Sequence, residues 1–575
     1  MSLYDKHPCI NVKGQNAWRG YDAILWEWQS RIAAGARVLV IDAYPGVRDE
    51  EVLEQLRRLS PDVLIDMRDI FKPEHELTDQ MAPYLTDDRV FGRMYYGDID
   101  DFLDSVAVEE ARALVSASSG LVIVYGFGAA RVVEGDVLCY FDMTRWEIQL
   151  RYRSGMGNYK CSNGSDDNLR KYKRGFFVEW RIADKHKQRL FNSIDYVVDT
   201  AAANDPRMVT GDGLITALHD VTSRPFRTVP YFDPGVWGGQ WMKEVCSLDQ
   251  NQSNYAWSFD GVPEENELIL CFGGVDVHVP AMDLVLLYPR ELLGDNVYAR
   301  FGAEYPIRFD LLDTMGGQNL SLQVHPTTEY IHRQFGMAYT QDESYYLLDA
   351  GPDACVYLGL KEGVDSAEML DTLRRANAGG GTFNADHYVN KFSAKKHDHF
   401  LIPAGTIHCS GANAMVLEIS ATPYIFTFKL WDWGRVGLDG RPRPVHLEHG
   451  EQVINWNRST GWVKDNLVNQ AREVSEVGCG AVVERTGLHE LEYIETRRYT
   501  FSGVSHHDTC GTVHMLNLVE GAEVVVESPV GAFEPFYVHY AETFIIPAAV
   551  GRYTVKPAGD AEGQEVKLIK AYVRS

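Results

Sequence analysis

The phrase FLIPAGTIH at 400–408 returns in altered form as FIIPAAVGRY at 544–553. Each copy is an apolar strand that breaks at Ile-Pro-Ala and turns into a second strand. From about residue 226 onward the strand-like segments are short and closely spaced, with frequent Gly, Pro and Asn, as in NELILCFGG and YYLLDAGPDACVYLGL. Short strands punctuated by turn signals predict a β-sandwich or barrel. The repeat therefore predicts two jelly-roll barrels, at 226–455 and 456–575. One helical island, DSAEMLDTLRRAN at 365–377, forms a small insertion near 365–390. Only the first copy carries a histidine after the turn, His408, so only the first is expected to bind metal.

The chain before residue 226 reads differently. RVLVIDAY (37–44), VLIDM (63–67), LVIVYGFG (121–128) and DYVVDT (195–200) are short continuous apolar runs separated by helical patterns such as EEVLEQLRRL. That alternation predicts an α/β domain over 1–225 with a mostly parallel sheet. LVIVYGFGAARVVEGD has the look of a strand running into a phosphate loop. However, Arg131 and Val132 stand where G-x-x-x-x-G-K-[ST] requires Gly and Lys. The expectation is a degenerate, P-loop-kinase-like domain without a working phosphate loop. RWEIQLRYRSG (145–155) reads as an amphipathic helix packed on the sheet.

Composition narrows the function classes. A net charge of −26 disfavours non-specific binding to nucleic acid or anionic membrane. No apolar run approaches the ~18 residues needed to cross a bilayer. The opening MSLYDKHPCINVKG lacks a signal-peptide core, so a cytoplasmic location is expected. Nine scattered cysteines without a C-x-x-C pair argue for reduced thiols rather than a disulfide framework or a cysteine zinc ribbon.

SLQVHP (321–326) carries the chemistry. On a strand Gln323 and His325 point to one face and Leu322 and Val324 to the other. Glu343 heads the strand ESYYLLDA, and His408 follows PAGT on a strand pairing back through the barrel. Two imidazoles, a carboxylate and an amide oxygen suit a divalent ion such as Zn2+, one per chain. Nitrogen and oxygen donors with an open position favour Lewis-acid chemistry over a closed structural site.

GGQNLSLQVHPTTEYI, DESYYLLDA, DHFLIPAGTIHCSGANAMVLEIS and FKLWDWGRVGLDGRPRPVHLEH, with VWGGQWMKE upstream, closely resemble class I mannose-6-phosphate isomerases over roughly residues 230–575. The resemblance implies a cupin barrel with zinc held by Gln323, His325, Glu343 and His408. It also implies interconversion of mannose 6-phosphate and fructose 6-phosphate, with Arg435 in the active-site mouth. The first 225 residues lie outside it and suggest an appended nucleoside-kinase-like unit.

The chemistry would be an aldose–ketose shift through an enediol. Arg435 offers a fork of donors to an anionic oxygen. Glu418, with inward spacing on the strand after His408, is the candidate base. His397 and His399 are expected as strand-end histidines, with Lys429 and His446 as lesser candidates. Two departures remove positive charge: Gln341 stands where many members carry a lysine, and Asp310 stands near the place of another. A related, unphosphorylated or differently charged sugar is therefore admitted. The competing function is a sugar-binding regulator, a metal-containing cupin that senses without turnover. The expected partner is a small sugar or sugar phosphate, and a homo-oligomer is admitted.

Overall fold

The computed structural model describes residues 3–421, 424–438, 440 and 443–574. It divides into two compact units, an α/β unit of Cys9–Asp220 with Glu267–Tyr288, and a β-rich unit of Met1–Pro8, Val221–Asn266 and Pro289–Ser575. The segment Glu267–Tyr288 thus leaves the β-rich run of sequence and belongs to the α/β unit.

The α/β unit is built on a seven-stranded sheet. Its order is Trp18–Arg19, Arg207–Thr210, Tyr196–Asp199, Val137–Asp142, Val38–Ala43, Val122–Gly126, Val63–Asp66. The last five of these are mutually parallel. Their continuous apolar runs follow from burial on both faces, and Leu39, Ile41, Ile123, Tyr125, Cys139 and Phe141 form part of one core. The first of the parallel strands, Val38–Ala43, lies in the middle. Its carboxyl end turns through Tyr44–Arg48 into the helix Asp49–Arg57. In an open α/β sheet a ligand loop belongs at that central strand-to-helix turn, not at the glycine-rich run after Val122–Gly126. The turn runs into the helix through Arg48-Asp49-Glu50 and has no Lys-Ser/Thr pair. The predicted helix after residue 144 is Arg145–Arg153, capped by the Thr144 side chain. Its arginines are spent on the protein: Arg151 donates to Glu147 and to the carbonyls of Gly46 and Thr200.

The β-rich unit holds two pairs of sheets. In the first pair, a six-stranded sheet runs His399–Ile402, Asp342–Ala350, Ala414–Ala421, Arg308–Asp313, Trp257–Gly261, Tyr231–Asp233, and a five-stranded sheet runs Val389–Ser393, Cys355–Leu360, His408–Ser410, Leu322–Val324, Phe428–Trp431. The second pair, six- and four-stranded, encloses a core to which Tyr499, Leu516 and Leu568 come from one sheet and Val524, Val538 and Tyr553 from the other. The helical island is the helix Ser366–Asn377. Asp365 caps it by accepting from Glu368 N, and Met369, Leu373 and Ala376 are its buried stripe. Three short helices at Ala281–Leu287, Pro289–Leu293 and Asp295–Phe301 had no counterpart in the sequence reading. Their apolar runs are too short to show a helical period. All nine cysteines are free thiols, and no described helix is long and apolar enough to cross a membrane.

Candidate metal centre

The five-stranded sheet sets the site by register. Gln323 lies directly opposite His408 on one side and Lys429 on the other. Residues opposed across an antiparallel pair share a face, so these three side chains stand together. His325 follows one step beyond the strand. Glu343 comes from the facing six-stranded sheet.

The side chains meet in a dry interior, with Glu343 and His408 both 0% exposed. His408 Nε2 is 2.8 Å from Glu343 Oε1, and His325 Nε2 is 3.1 Å from Glu343 Oε2. Yet His325 Nε2 and Glu343 Oε1 make no aligned hydrogen bond. The ligand atoms of His325, Glu343 and His408 lie within 4.8 Å of one another, a spacing that one ion can span. The other ring nitrogens are engaged: His325 Nδ1 with Phe426 O and His408 Nδ1 with Thr406 O, both at 2.9 Å. Donation to those carbonyls fixes the tautomer that leaves each Nε2 lone pair inward. Gln323 Nε2 is 3.2 Å from His408 Nε2, and the flipped amide would present its oxygen to the same space. Two imidazoles, one carboxylate and one amide fit a divalent ion, zinc included.

Gln341, at the position of the missing lysine, is a strut. Its Nε2 donates to Glu343 Oε2 at 3.1 Å, and its Oε1 accepts from Phe426 N at 2.9 Å. One amide thus holds both the carboxylate and the backbone whose carbonyl orients His325. Glu418 lies opposite Asp310 and Tyr345, on the face that carries Glu343. Burial raises its carboxyl well above the usual range, helped by the neighbouring Glu343 and Asp310. Burial likewise lifts Asp310 to about 6.

Other candidates stand elsewhere. The Arg435 guanidinium is tied down, Nη1 to Asn319 O and Nη2 to Asp432 Oδ1, both at 2.7 Å, with Nε on Asp432 O at 3.2 Å. It clamps the loop that feeds Gln323, and none of its partners is one of the four ligands. His399 lies opposite Tyr346, on the face away from Glu343. It is buried, neither ring nitrogen is hydrogen-bonded, and burial with Arg498 nearby lowers it to about 3. It is therefore not a solvated strand-end histidine. His397 is held between Tyr346 Oη at 2.9 Å and Glu520 Oε2 at 3.0 Å. Lys429, one of the lesser candidates, is the cation that register brings beside Gln323. Its position opposite SLQVHP could have been found only by knowing the strand pairing.

Comparison with known proteins adds the following. A family of domains of unknown function, DUF8485, matches residues 20–223. A mannose-6-phosphate isomerase of Streptococcus mutans is 28% identical over 221 residues, 38% of this chain and 64% of that protein. Mannose-6-phosphate isomerase ManA of Bacillus subtilis is 25% identical over 235 residues, 41% of this chain and 69% of that protein. Part of the chain is homologous to mannose-6-phosphate isomerases. It spans a little under two thirds of the Streptococcus relative. The crystal structure of a Bacillus subtilis mannose 6-phosphate isomerase aligns with 61% of this chain and 99% of its own at 18% identity, with a TM-score of 0.48.

Proposed function

We propose that the chain is a metal-dependent aldose–ketose isomerase that interconverts mannose 6-phosphate and fructose 6-phosphate, or a closely related sugar pair. The observation that carries this reading is the convergence of the His325, Glu343 and His408 ligand atoms, all within 4.8 Å of one another in a dry interior, in a chain homologous in part to such isomerases. Gln323, His325, Glu343 and His408 would hold zinc. When bound, the ion supplies a Lewis acid for the oxygen on which negative charge develops.

The chain's own groups do the rest. Gln341 and the Phe426 and Thr406 carbonyls keep the ligands oriented. Glu418, inside the barrel beside Glu343, is the candidate to carry the proton between adjacent carbons. Lys429 lies opposite Gln323 on the neighbouring strand, and we assign it the anionic group of the sugar. Arg435 acts from a distance, by fixing the Asn319 loop. We read the α/β unit as kinase-like in form and inert in phosphoryl transfer. Its strand order supports the first point, and the lack of a Lys-Ser/Thr pair at the turn Tyr44–Arg48 and the start of the following helix supports the second.

The test is hydrogen exchange in heavy water. Zinc-loaded protein should place deuterium at C1 of the fructose 6-phosphate it forms, and at C2 of mannose 6-phosphate on the return, and His408→Ala should do neither. Zinc-loaded protein that leaves the sugar unexchanged and unconverted would refute the proposal.

A further inference from the structure

The second barrel lacks the metal ligands of the first, yet its interior is not apolar throughout. Lys570 lies on the strand Val566–Val573, opposite Arg497 on one neighbour and Leu516 on the other. Leu516 and Leu568 belong to the core, so the lysine points inward with them. Lys570 is 5% exposed. Its ammonium sits 4.3 Å from the Tyr499 ring centre and 5.8 Å from that of Tyr572, and it has no hydrogen bond or ion pair among the described residues.

The groups around it are already spoken for. Glu476 takes Arg497 and the Tyr499 hydroxyl, and Glu495 takes Arg497 and the Tyr572 hydroxyl. His514 Nδ1 meets Tyr553 Oη at 2.9 Å. His507, 6% exposed, stacks on Tyr553 and meets the Tyr499 ring edge-to-face. Its Nε2 meets Ser505 Oγ at 3.0 Å, while its Nδ1 is buried with no partner. Burial and the nearby Lys570 charge keep both imidazoles neutral. A cation without an ion pair and an unpaired ring nitrogen thus both lie against the Tyr499 ring, whose hydroxyl bonds Glu476 of the quarter-exposed Arg497–Glu476 pair.

A largely buried ammonium that lacks a hydrogen-bond or ion-pair partner is costly, and an anion that pairs with it would relieve that cost. We propose that the second barrel is a binding site for a small oxyanion, a phosphate or carboxylate group, which pairs with Lys570 and is bonded by His507 Nδ1. The aromatic walls of Tyr499 and Tyr572 would hold the ammonium in place between occupants through its attraction to their faces. The site is separate from the metal centre and stands whether or not the chain is an isomerase.

The experiment is thermal unfolding of the full chain in potassium phosphate, potassium malonate, and potassium chloride at matched ionic strength, for wild type and Lys570→Met. Wild type should gain about 2 °C at ten times the dissociation constant of its preferred anion. Lys570→Met should gain nothing over chloride. In chloride it should be as stable as wild type or more so, because an unpaired buried charge has been removed. Phosphate against malonate distinguishes a phosphate ligand from a carboxylate.

As a second readout, amine-reagent labelling of wild type mapped to the Lys570 peptide should slow at least fivefold in that anion. Equal shifts in both proteins would assign the anion elsewhere and overturn the proposal. So would no anion-specific shift in wild type together with unchanged labelling.

Discussion

Zinc should stabilise the β-rich unit by an amount that His408→Ala abolishes. A ligand that binds only the folded state adds RT ln(1 + [L]/Kd), about 4 kcal/mol at a thousandfold excess over Kd. A unit of about 340 residues, at about 2.1 cal/mol/K per residue, unfolds with an entropy near 0.7 kcal/mol/K, so zinc should raise its midpoint by about 6 °C. His408 is fully buried and its Nδ1 is bonded to Thr406 O, so truncating it also removes packing in the metal-free protein. The quantity to compare is therefore the difference between zinc and EDTA within each protein, read by calorimetry, and not the midpoints themselves. Wild type should show the full shift and His408→Ala almost none, because only Glu343, His325 and Gln323 remain to hold the ion. An equal zinc shift in the two proteins would place the metal elsewhere and refute the assignment.

Other perturbations have defined outcomes. Gln341→Leu leaves the Phe426 N–H and one side of Glu343 without their partner. Zinc affinity measured by competition with a chelator should fall about 10- to 100-fold, with the fold intact by circular dichroism. Lys187 sits buried between Asp142, at 2.9 Å, and Asp283, at 2.5 Å. Lys187→Ala strands two carboxylates and should cost about 3–5 kcal/mol in urea unfolding, whereas Lys187→Met with Asp283→Leu should recover most of it. Burial lowers Lys570 to about 8 from 10.5. Between those values the unfolded chain holds a proton that the folded chain has lost, so raising pH favours folding. Urea midpoints taken at pH 8 and pH 10 should rise in wild type relative to Lys570→Met, and a constant difference between the two would show that Lys570 does not titrate in that window.

The parts of this molecule that were legible in its sequence are those governed by local pattern. Continuous apolar runs announced the parallel strands around Val38–Ala43 and Val122–Gly126, and the cap-and-stripe pattern of Asp365 to Asn377 announced its helix. The period of two in SLQVHP put Gln323 and His325 on one face. What stayed hidden depends on which strands are neighbours. The central place of Val38–Ala43, which moves the strand-to-helix turn of interest to Tyr44–Arg48, follows from sheet order and not from any motif. Lys429 became interesting only when its strand paired with Leu322–Val324, and Gln341 looked like a loss until its two hydrogen bonds were visible. Arg435 shows the converse. Its motif suggested contact with substrate, while the fold commits three of its five N–H donors to Asp432 and Asn319.

The central claim is that this barrel isomerises a sugar at a metal held by Gln323, His325, Glu343 and His408. It is tested most directly by steady-state turnover of mannose 6-phosphate to fructose 6-phosphate on metal-analysed, zinc-loaded full-length protein, with mannose and the His408→Ala variant run in parallel. The account predicts one zinc per chain, turnover that disappears with EDTA and in His408→Ala, and a preference for the phosphorylated sugar that Lys429→Ala reduces. A protein that carries one zinc at these residues and turns over neither sugar would contradict it.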